Sequence, residues 1–357
     1  MSIINFFVTL LALYLIWSWI LKRGIKSISC TRTISCDAAF EGEEGELIEV
    51  VRNDRPYLIP WLRIESEVSP SIQLGKQDNL QVSDRRYYSS NFTLMPYQQI
   101  RRRHRVRFTR RGSYDLGNAT LTVGDILGVS QYWRRQQTNT KVLVYPQILD
   151  KEDLPFPISM VLGELVRRQQ LLSDPFLIRG IRAYQPGDPV RDIHWPATAR
   201  TGLAQVRVHD HSARAKLLVI LNAQLDDGQW GSVIQKKDEK PVEDGIRLAA
   251  NICVHALRSG LSAGFAANLP LDDEKRSTIL LPEEGTACEE ELLTAFARLN
   301  LRCTENFLVL LDSLSVHTGL DILLLSLYDS EGVQEGIRNL RLNGNQVTFY
   351  ALEGGKQ

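Results

Sequence analysis

Ile178 to Val208 reads IRGIRAYQPGDPVRDIHWPATARTGLAQVRV, and a little further on Leu217 to Leu221 reads LLVIL. The first stretch crowds Arg179, Arg182, Tyr184, Gly187, Asp188, Arg191, Asp192, Trp195 and Arg200 into little more than a turn and its flanks. The second is an unbroken apolar run, the pattern of a strand with both faces covered.

Outward from that strand, helical and strand patterns alternate to the end of the chain. Gly245–Arg258 places Ile246, Ala249, Ala250, Cys253 and Leu257 at helical spacing, and Gly260 stops it. Ser262–Ala267 reads as a second strand, Glu289–Leu299 as a helix with acidic residues in its first turn, and Asp321–Leu327 as a third strand. Val333–Asn343 is a further helix and Gln346–Leu352 a last strand, while Gln235–Lys240 reads as a charged loop ending at Pro241. This alternation predicts a parallel α/β sheet with helices on both faces. Upstream, residues 27–150 carry short strand-like runs between turn residues. Trp61–Val68 and Arg103–Phe108 alternate with period two, and the regular spacing predicts a β-sandwich. Residues 151–175 connect the two, with a short helix expected over Glu164–Leu172.

The N-terminus differs in kind. Ile3–Leu21 carries no charge, and about 19 residues at about 1.5 Å each nearly match a hydrocarbon core about 30 Å thick. Tyr14, Trp17 and Trp19 lie toward one end, nothing basic precedes the run, and WSWILKRG offers no good cleavage site. An uncleaved anchor over residues 1–26 is expected rather than a signal peptide. Lys22, Arg23, Lys26 and Arg32 follow it, which by the positive-inside rule places the body in the cytoplasm. The chain of 357 residues has room for two cores beyond the anchor, and its zero formal charge gives no global signal for nucleic acid. Five scattered cysteines form no CxxC pair and no zinc spacing.

The Arg/Asp/Trp stretch admits two readings. Its arginines with fixed carboxylates and an aromatic suit a partner's acidic patch or a phosphate. Alternatively Asp188 and Asp192 pair with Arg182, Arg191 or Arg200 to lock a long loop onto the α/β domain, and Trp195 fills a core or interdomain gap. The chain has no G-x-S-x-G, H-E-x-x-H or P-loop, so no recognisable nucleophile and base. His209 and His211 would share a strand face as a minimal metal pair; surface or satisfied histidines are the plainer reading. Arg101–Arg102–Arg103–His104–Arg105 with Arg107, Arg110 and Arg111 suggests anionic lipid or nucleic acid. Strand alternation splits the patch, however, and a solvated strand edge is the simpler expectation.

The spaced residues Arg182, Tyr184, Gly187, Asp188, Arg191, Ile193, Trp195, Ala199 and Arg200 resemble the signature of the domain of unknown function 58 family. Arg111–Gly117, Gly124–Gly128 and Val144–Pro146 are similar to that family's upstream track. The resemblance implies an α+β multidomain protein: an N-terminal transmembrane helix, a β-sandwich over 27–150, and a von Willebrand A-like, Rossmann-like α/β domain within 151–357. It implies an adaptor or assembly partner rather than an enzyme, accompanied by a MoxR-type AAA+ ATPase and by transglutaminase-like membrane proteins. An envelope-facing structural module is the alternative, and a metal-dependent envelope enzyme a more distant one. The chain departs from the family in showing one membrane helix where many members have two. In von Willebrand A-like folds the first strand ends in Asp-x-Ser-x-Ser, which holds Mg²⁺. Here Asn222, Gln224 and Asp226 stand in that stretch, so a degenerate site and no cofactor are expected.

Overall fold

The computed structural model describes all residues except Met1, 76–79, 84–86, 117, 126–129, 138–139, 172–177, 186–187, 210–214, 273, 284 and 353–357. The chain divides into two compact units, Met1–Gln147 and Ile148–Gln357.

The first unit opens with α1 (Ser2–Ser27), long and apolar enough to cross a membrane by length and composition. There follow β1 (Ile28–Ile34), β2 (Ala38–Phe40), β3 (Glu44–Asn53), β4 (Ile59–Glu67), β5 (Ile72–Leu74) and β6 (Leu80–Ser83). The unit continues through β7 (Tyr87–Leu94), β8 (Gln99–Phe108), β9 (Gly112–Asp115), β10 (Asn118–Gly124), β11 (Gln131–Gln137) and β12 (Lys141–Tyr145). Two larger sheets run β1-β3-β8-β5 and β11-β10-β4-β7-β6, and β2-β12-β9 forms a small third. The larger sheets share one core. Ile28, Cys30 and Val51 of the first meet Leu62, Ile64, Phe92, Leu121 and Val123 of the second, so the unit is a sandwich.

The basic run lies on β8, which pairs with β3 over Gln99–Arg107 but with β5 only over Val106–Phe108, so among the described residues Arg101–His104 have a strand partner on one side, as at an edge. Alternation does split it. Arg101, Arg103, Arg105 and Arg107 are exposed, whereas Arg102 is half-buried and His104 buried. Register explains what the inward residues do. Arg32 stands opposite Glu49, and Glu49 opposite Arg102, all on the inward face with His104. Arg32 Nη2 and Nε donate to Glu49 Oε1 at 2.6 and 2.9 Å, and His104 Nε2 stands 3.8 Å from Oε2. An ionic layer thus separates the apolar cluster around Val51 and Leu121 from a second one around Phe108 and Val142. Burial alone would push the Glu49 carboxyl up. The facing His104 and Arg32 more than offset it and hold the carboxyl below its ordinary range.

The second unit runs α2 (Phe156–Leu171), β13 (Ile178–Ala183), α3 (Trp195–Thr201), β14 (Gln205–His209), β15 (Lys216–Asn222), β16 (Ser232–Val233) and α4 (Glu239–Arg258). It continues with β17 (Ser262–Ala267), β18 (Thr278–Glu283), α5 (Thr286–Arg298), β19 (Arg302–Cys303), α6 (Phe307–Leu314), β20 (Asp321–Ser326), α7 (Glu331–Leu342) and β21 (Gln346–Ala351). The main sheet has the order β18-β17-β15-β20-β21. Its Leu217, Val219 and Leu221 pack under α2, α4 and α5, and Leu218 and Ile220 under α6 and α7. Two covered faces account for the unbroken apolar run of β15.

Three expectations need correction. The sheet is not wholly parallel, because β18 pairs antiparallel with β17 at one edge. It approaches so closely that a Cβ on Gly264 would stand 2.5 Å from Leu280 O, and only glycine fits there. α4 begins at Glu239, so the end of the charged loop is its first turn, where Pro241 lacks no hydrogen bond it needs. α2 begins at Phe156, eight residues before the expected start at Glu164, with its Pro157 likewise in the first turn.

Replacing one partner of the ionic layer tests its part in the fold. Glu49→Ala leaves Arg32 charged and buried and is expected to destabilise the first unit by about 3–5 kcal/mol in denaturant melts. Because the Glu49 carboxyl is depressed in the fold, its contribution is present above the unfolded value. It is lost as pH falls through the folded one, so the acid transition should be shallower in Glu49→Ala than in the wild type.

Candidate functional site

Two places in the second unit draw together the residues singled out by sequence. The first is the carboxyl end of the main sheet. β15 leads on to β17 on one side of it and the neighbouring β20 leads on to β21 on the other, so the connections leave in opposite directions from the adjacent ends of β15 and β20. Such a switch point opens the crevice in which α/β sheets bind ligands. Asn222, Asn268 and Ser326 sit there, and all three are buried.

Their side chains saturate one another. Asn222 Nδ2 donates to Ser326 Oγ at 3.0 Å, and Asn268 Nδ2 donates to Asn222 Oδ1 and Gln224 Oε1 at 3.3 and 3.2 Å. Backbone N–H groups take the remaining acceptors: Ala223 N donates to Asn268 Oδ1, Gln224 N to Asn222 Oδ1, and Phe307 N to Gln224 Oε1. Gln224 Nε2 donates to Asp226 O at 3.3 Å, but the Asp226 and Asp227 carboxylates turn to other partners. Asp226 Oδ1 accepts from Gly228 N, and Asp227 Oδ1 from Ser330 Oγ at 3.0 Å. The donor set is therefore neutral amides turned inward, whereas a hard cation needs convergent carboxylate or hydroxyl oxygens. Among the described residues no three His, Cys, Asp or Glu side chains gather where they would hold a metal.

The second place is the Arg/Asp/Trp stretch, which folds as a small module. β13 and β14 pair antiparallel, and the segment between them is pinned to the ladder by Tyr184 N to Ala204 O and His194 N to Gln205 O. Ile193 bridges Val206, a buried residue. His194 caps α3, its Nδ1 accepting from Ala197 N at 3.0 Å, and Gly202 at φ +72 closes the helix in the left-handed region. Arg182 grips Asp188 with both terminal nitrogens at 2.7 Å, and Gln185 N donates to Asp188 Oδ2. The guanidinium and that N–H hold the Asp188 carboxyl below its usual range.

Of the two pairings offered by Asp188 and Asp192, the structure forms Arg182–Asp188 and a looser Arg191–Asp192 contact of 3.8 Å; Arg200 is exposed on α3. Trp195 does not fill a core gap. It is 64% exposed, with Ile181, Tyr184, Val190 and Leu203 also exposed on the same module. Trp195 opens α3, none of whose residues is buried, while Val206 of β14 is buried and Ile193, bridged to it, half-buried. Arg179 lies on β13. Gly187 and His211 lie outside the described residues, as do Gly117 and residues 126–128 of the upstream track. Sequence reasoning missed Asn268 and Ser326. Their only signal was a polar residue at the end of an apolar strand, which gives no partner until the crossovers are known.

The second unit has further clefts among the described residues. One of about 350 Å³ between α5 and β18 is lined by Leu271, Leu280, Glu290, Glu291, Thr294 and Arg298 among others.

A family model described as protein of unknown function DUF58 matches residues 180–305, taking in most of the module, β15 and β17 with Asn222 and Asn268, but not β20 or Ser326. The upstream track at 111–146 lies outside that match. Comparison with curated proteins gives no match. Among solved structures, alpha-2-macroglobulin from Salmonella aligns at 12% identity over 33% of this chain, with a TM-score of 0.27; the aligned part spans 9% of that protein. A CARDB domain from Pyrococcus furiosus aligns at 15% identity over 34% of this chain and 96% of its own, with a TM-score of 0.21. A non-cellulosomal cohesin from Archaeoglobus fulgidus aligns at 10% identity over 35% and 95%, with a TM-score of 0.22.

Two substitutions probe these places. Asn268→Asp sets carboxylate oxygen against Asn222 Oδ1 and Gln224 Oε1, which cannot turn because Ser326 and Phe307 N hold them. The loss should be about 1–3 kcal/mol for each group left unpaired, read as a lowered denaturation midpoint. Asp188→Ala, on an exposed loop, should leave the melting temperature unchanged and speed amide exchange at Gln185; a clear fall in melting temperature would instead assign the pair to the core architecture.

Proposed function

We propose that this chain is a membrane-anchored interaction protein, not an enzyme, that presents the Arg/Trp module to a partner. One observation carries the reading. Ile181, Val190, Trp195 and Leu203 are exposed together on a module whose shape is fixed internally by Arg182–Asp188 and the β13–β14 ladder. Exposed apolar side chains, with the exposed Arg191 and Arg200 on the same module, are the composition of a binding surface: aromatic and arginine anchors on a hydrogen-bonded frame.

On this reading the second unit is a von Willebrand A-like domain whose metal-site position has become an amide network, so binding proceeds without a cation. The sheet order and the helices on both faces support that assignment. α1 serves as the anchor. The basic residues that follow it favour a cytoplasmic body in the inner membrane, within reach of a MoxR-type AAA+ ATPase, the partner that the family resemblance suggests. The output would be assembly or maturation of a membrane or envelope complex, with transglutaminase-like membrane proteins as further candidates. The amide-filled switch point weighs against the metal-dependent enzyme alternative.

A crosslinked pull-down of the full chain from its own membranes, with and without ATP, tests the proposal. An AAA+ ATPase captured in an ATP-sensitive manner is expected, and Trp195→Ala or Arg200→Glu should reduce that capture at least tenfold, as for loss of an interface anchor. Recovery of envelope proteins alone, unaffected by either substitution, would transfer the reading to an outward-facing structural module.

A further inference from the structure

α1 is bound to the sandwich along its C-terminal half. Tyr14 Oη and Ser130 Oγ stand 2.6 Å apart, as do Ser18 Oγ and Tyr132 Oη. Trp17 packs on the sandwich core, Ile25 is buried within it, and the Cβ position of Gly24 lies 3.3 Å from Tyr57. Docking therefore spans Tyr14 to Ile25. Before Tyr14 the helix is clear of the sandwich, with Ile4, Phe6, Phe7, Leu10, Leu11 and Leu13 all more than half exposed.

That free part is too short to cross a bilayer unaided. Ser2–Leu13 spans about 18 Å at about 1.5 Å per residue, against a hydrocarbon core of about 30 Å. The undocked face of the second half is still apolar, with Leu15, Ile16 and Trp19 more than half exposed. If this helix enters a membrane, the end of the sandwich beside it must come to the membrane surface.

That end is built to meet it. Ile28, which follows α1, pairs with Asn53, and the Asn53 side chain donates to Tyr57 O and Met95 O. The turns on either side are thereby fixed next to the last turns of the helix. From them project Met95, 56% exposed, and Tyr97, 69% exposed and held at φ +54 with its N–H on Arg55 O. Arg23 lies 4.0 Å over the Trp19 ring, a cation and an amphipathic aromatic paired as headgroup depth favours. Lys22, Lys26 and Arg55 add positive charge, while Asp54 is engaged by Arg52. Exposed apolar tips rimmed with cations match an anionic leaflet.

We propose that this end of the sandwich sits in the headgroup layer of an anionic bilayer, with Met95 and Tyr97 entering the interface beside α1. The sandwich is then a membrane-surface domain and not a body on a free stalk. The inference rests on α1 being the membrane anchor.

The test uses the full chain with Cys36→Ser, since Cys30, Cys253, Cys288 and Cys303 are buried. Single cysteines are placed at Leu10, at Tyr97, and at Asn118, which begins β10 at the opposite end of the sandwich. Each carries an environment-sensitive fluorophore in phosphatidylcholine–phosphatidylglycerol vesicles containing spin-labelled lipid. The expected result is loss of Leu10 fluorescence to a deep chain label, loss of Tyr97 fluorescence to a headgroup label, and no loss at Asn118. Met95→Cys repeats the measurement should Tyr97→Cys fail to fold. Leu10 quenched with Tyr97 and Met95 as bright as Asn118 would overturn the proposal, keep the anchor, and point those turns toward a protein. Leu10 unquenched by either label would remove the anchor, and this inference with it.

Discussion

The second unit depends on one constraint: β15 is buried on both faces, so its polar end has no route to water except through its neighbours. Helices must cover each side, and the crossovers that put them there deliver the ends of β17 and β20 to the same spot. A buried amide left unpaired costs about as much as a lost hydrogen bond or more. Asn222, Asn268, Gln224 and Ser326 meet that demand mutually and extend it to the first N–H groups of α6 through Phe307 N. What occupies the sheet's ligand crevice is thus a structural element. The crevice survives as a topological position whose polar groups are already committed to each other.

The sandwich meets its own polar problem differently. It places an ion pair in the interior between adjacent strands, Arg32 on β1 and Glu49 on β3, with the half-buried Arg102 and the buried His104 of β8 on the same face. Such a layer adds little net stability compared with apolar packing, because desolvation offsets most of the attraction. It is intolerant of slippage, though, since a shift of one residue would turn every one of these groups to the other face. Register between strands of a largely polar sequence such as QIRRRHRVRF is otherwise weakly specified.

The Arg/Trp module carries the opposite economy. Its Arg182–Asp188 clamp lies at the surface with the exposed Ile181, Val190, Trp195 and Leu203, and among its described residues Val206 is the buried apolar one. A segment this poor in buried area keeps a fixed shape by hydrogen bonding: His194 on Ala197 N, Asp188 on Arg182 and Gln185, and Gly202 at the helix stop. Fixed shape with exposed anchors lowers the ordering entropy of association, the condition under which a small surface binds well.

Periodicity alone was enough to read the apolar helix at the N-terminus, the sandwich, and the alternating strands and helices after Leu217, because each follows from which residues need covering. It also read the split of the arginine run, since alternation is local. Sequence did not reveal that β18 runs antiparallel or that Trp195 faces solvent. Those depend on which strand lies beside which, and on whether a neighbour reaches a given side chain. Asn268 and Ser326 make the same point at the candidate site: each is an ordinary polar residue after an apolar strand, and only the crossover connections bring them within 3.3 Å of Asn222, directly or through its amide. The residues themselves decided what must be buried and what must be paired; the tertiary structure decided with whom, because pairing partners far apart in the chain are set by topology and not by local pattern.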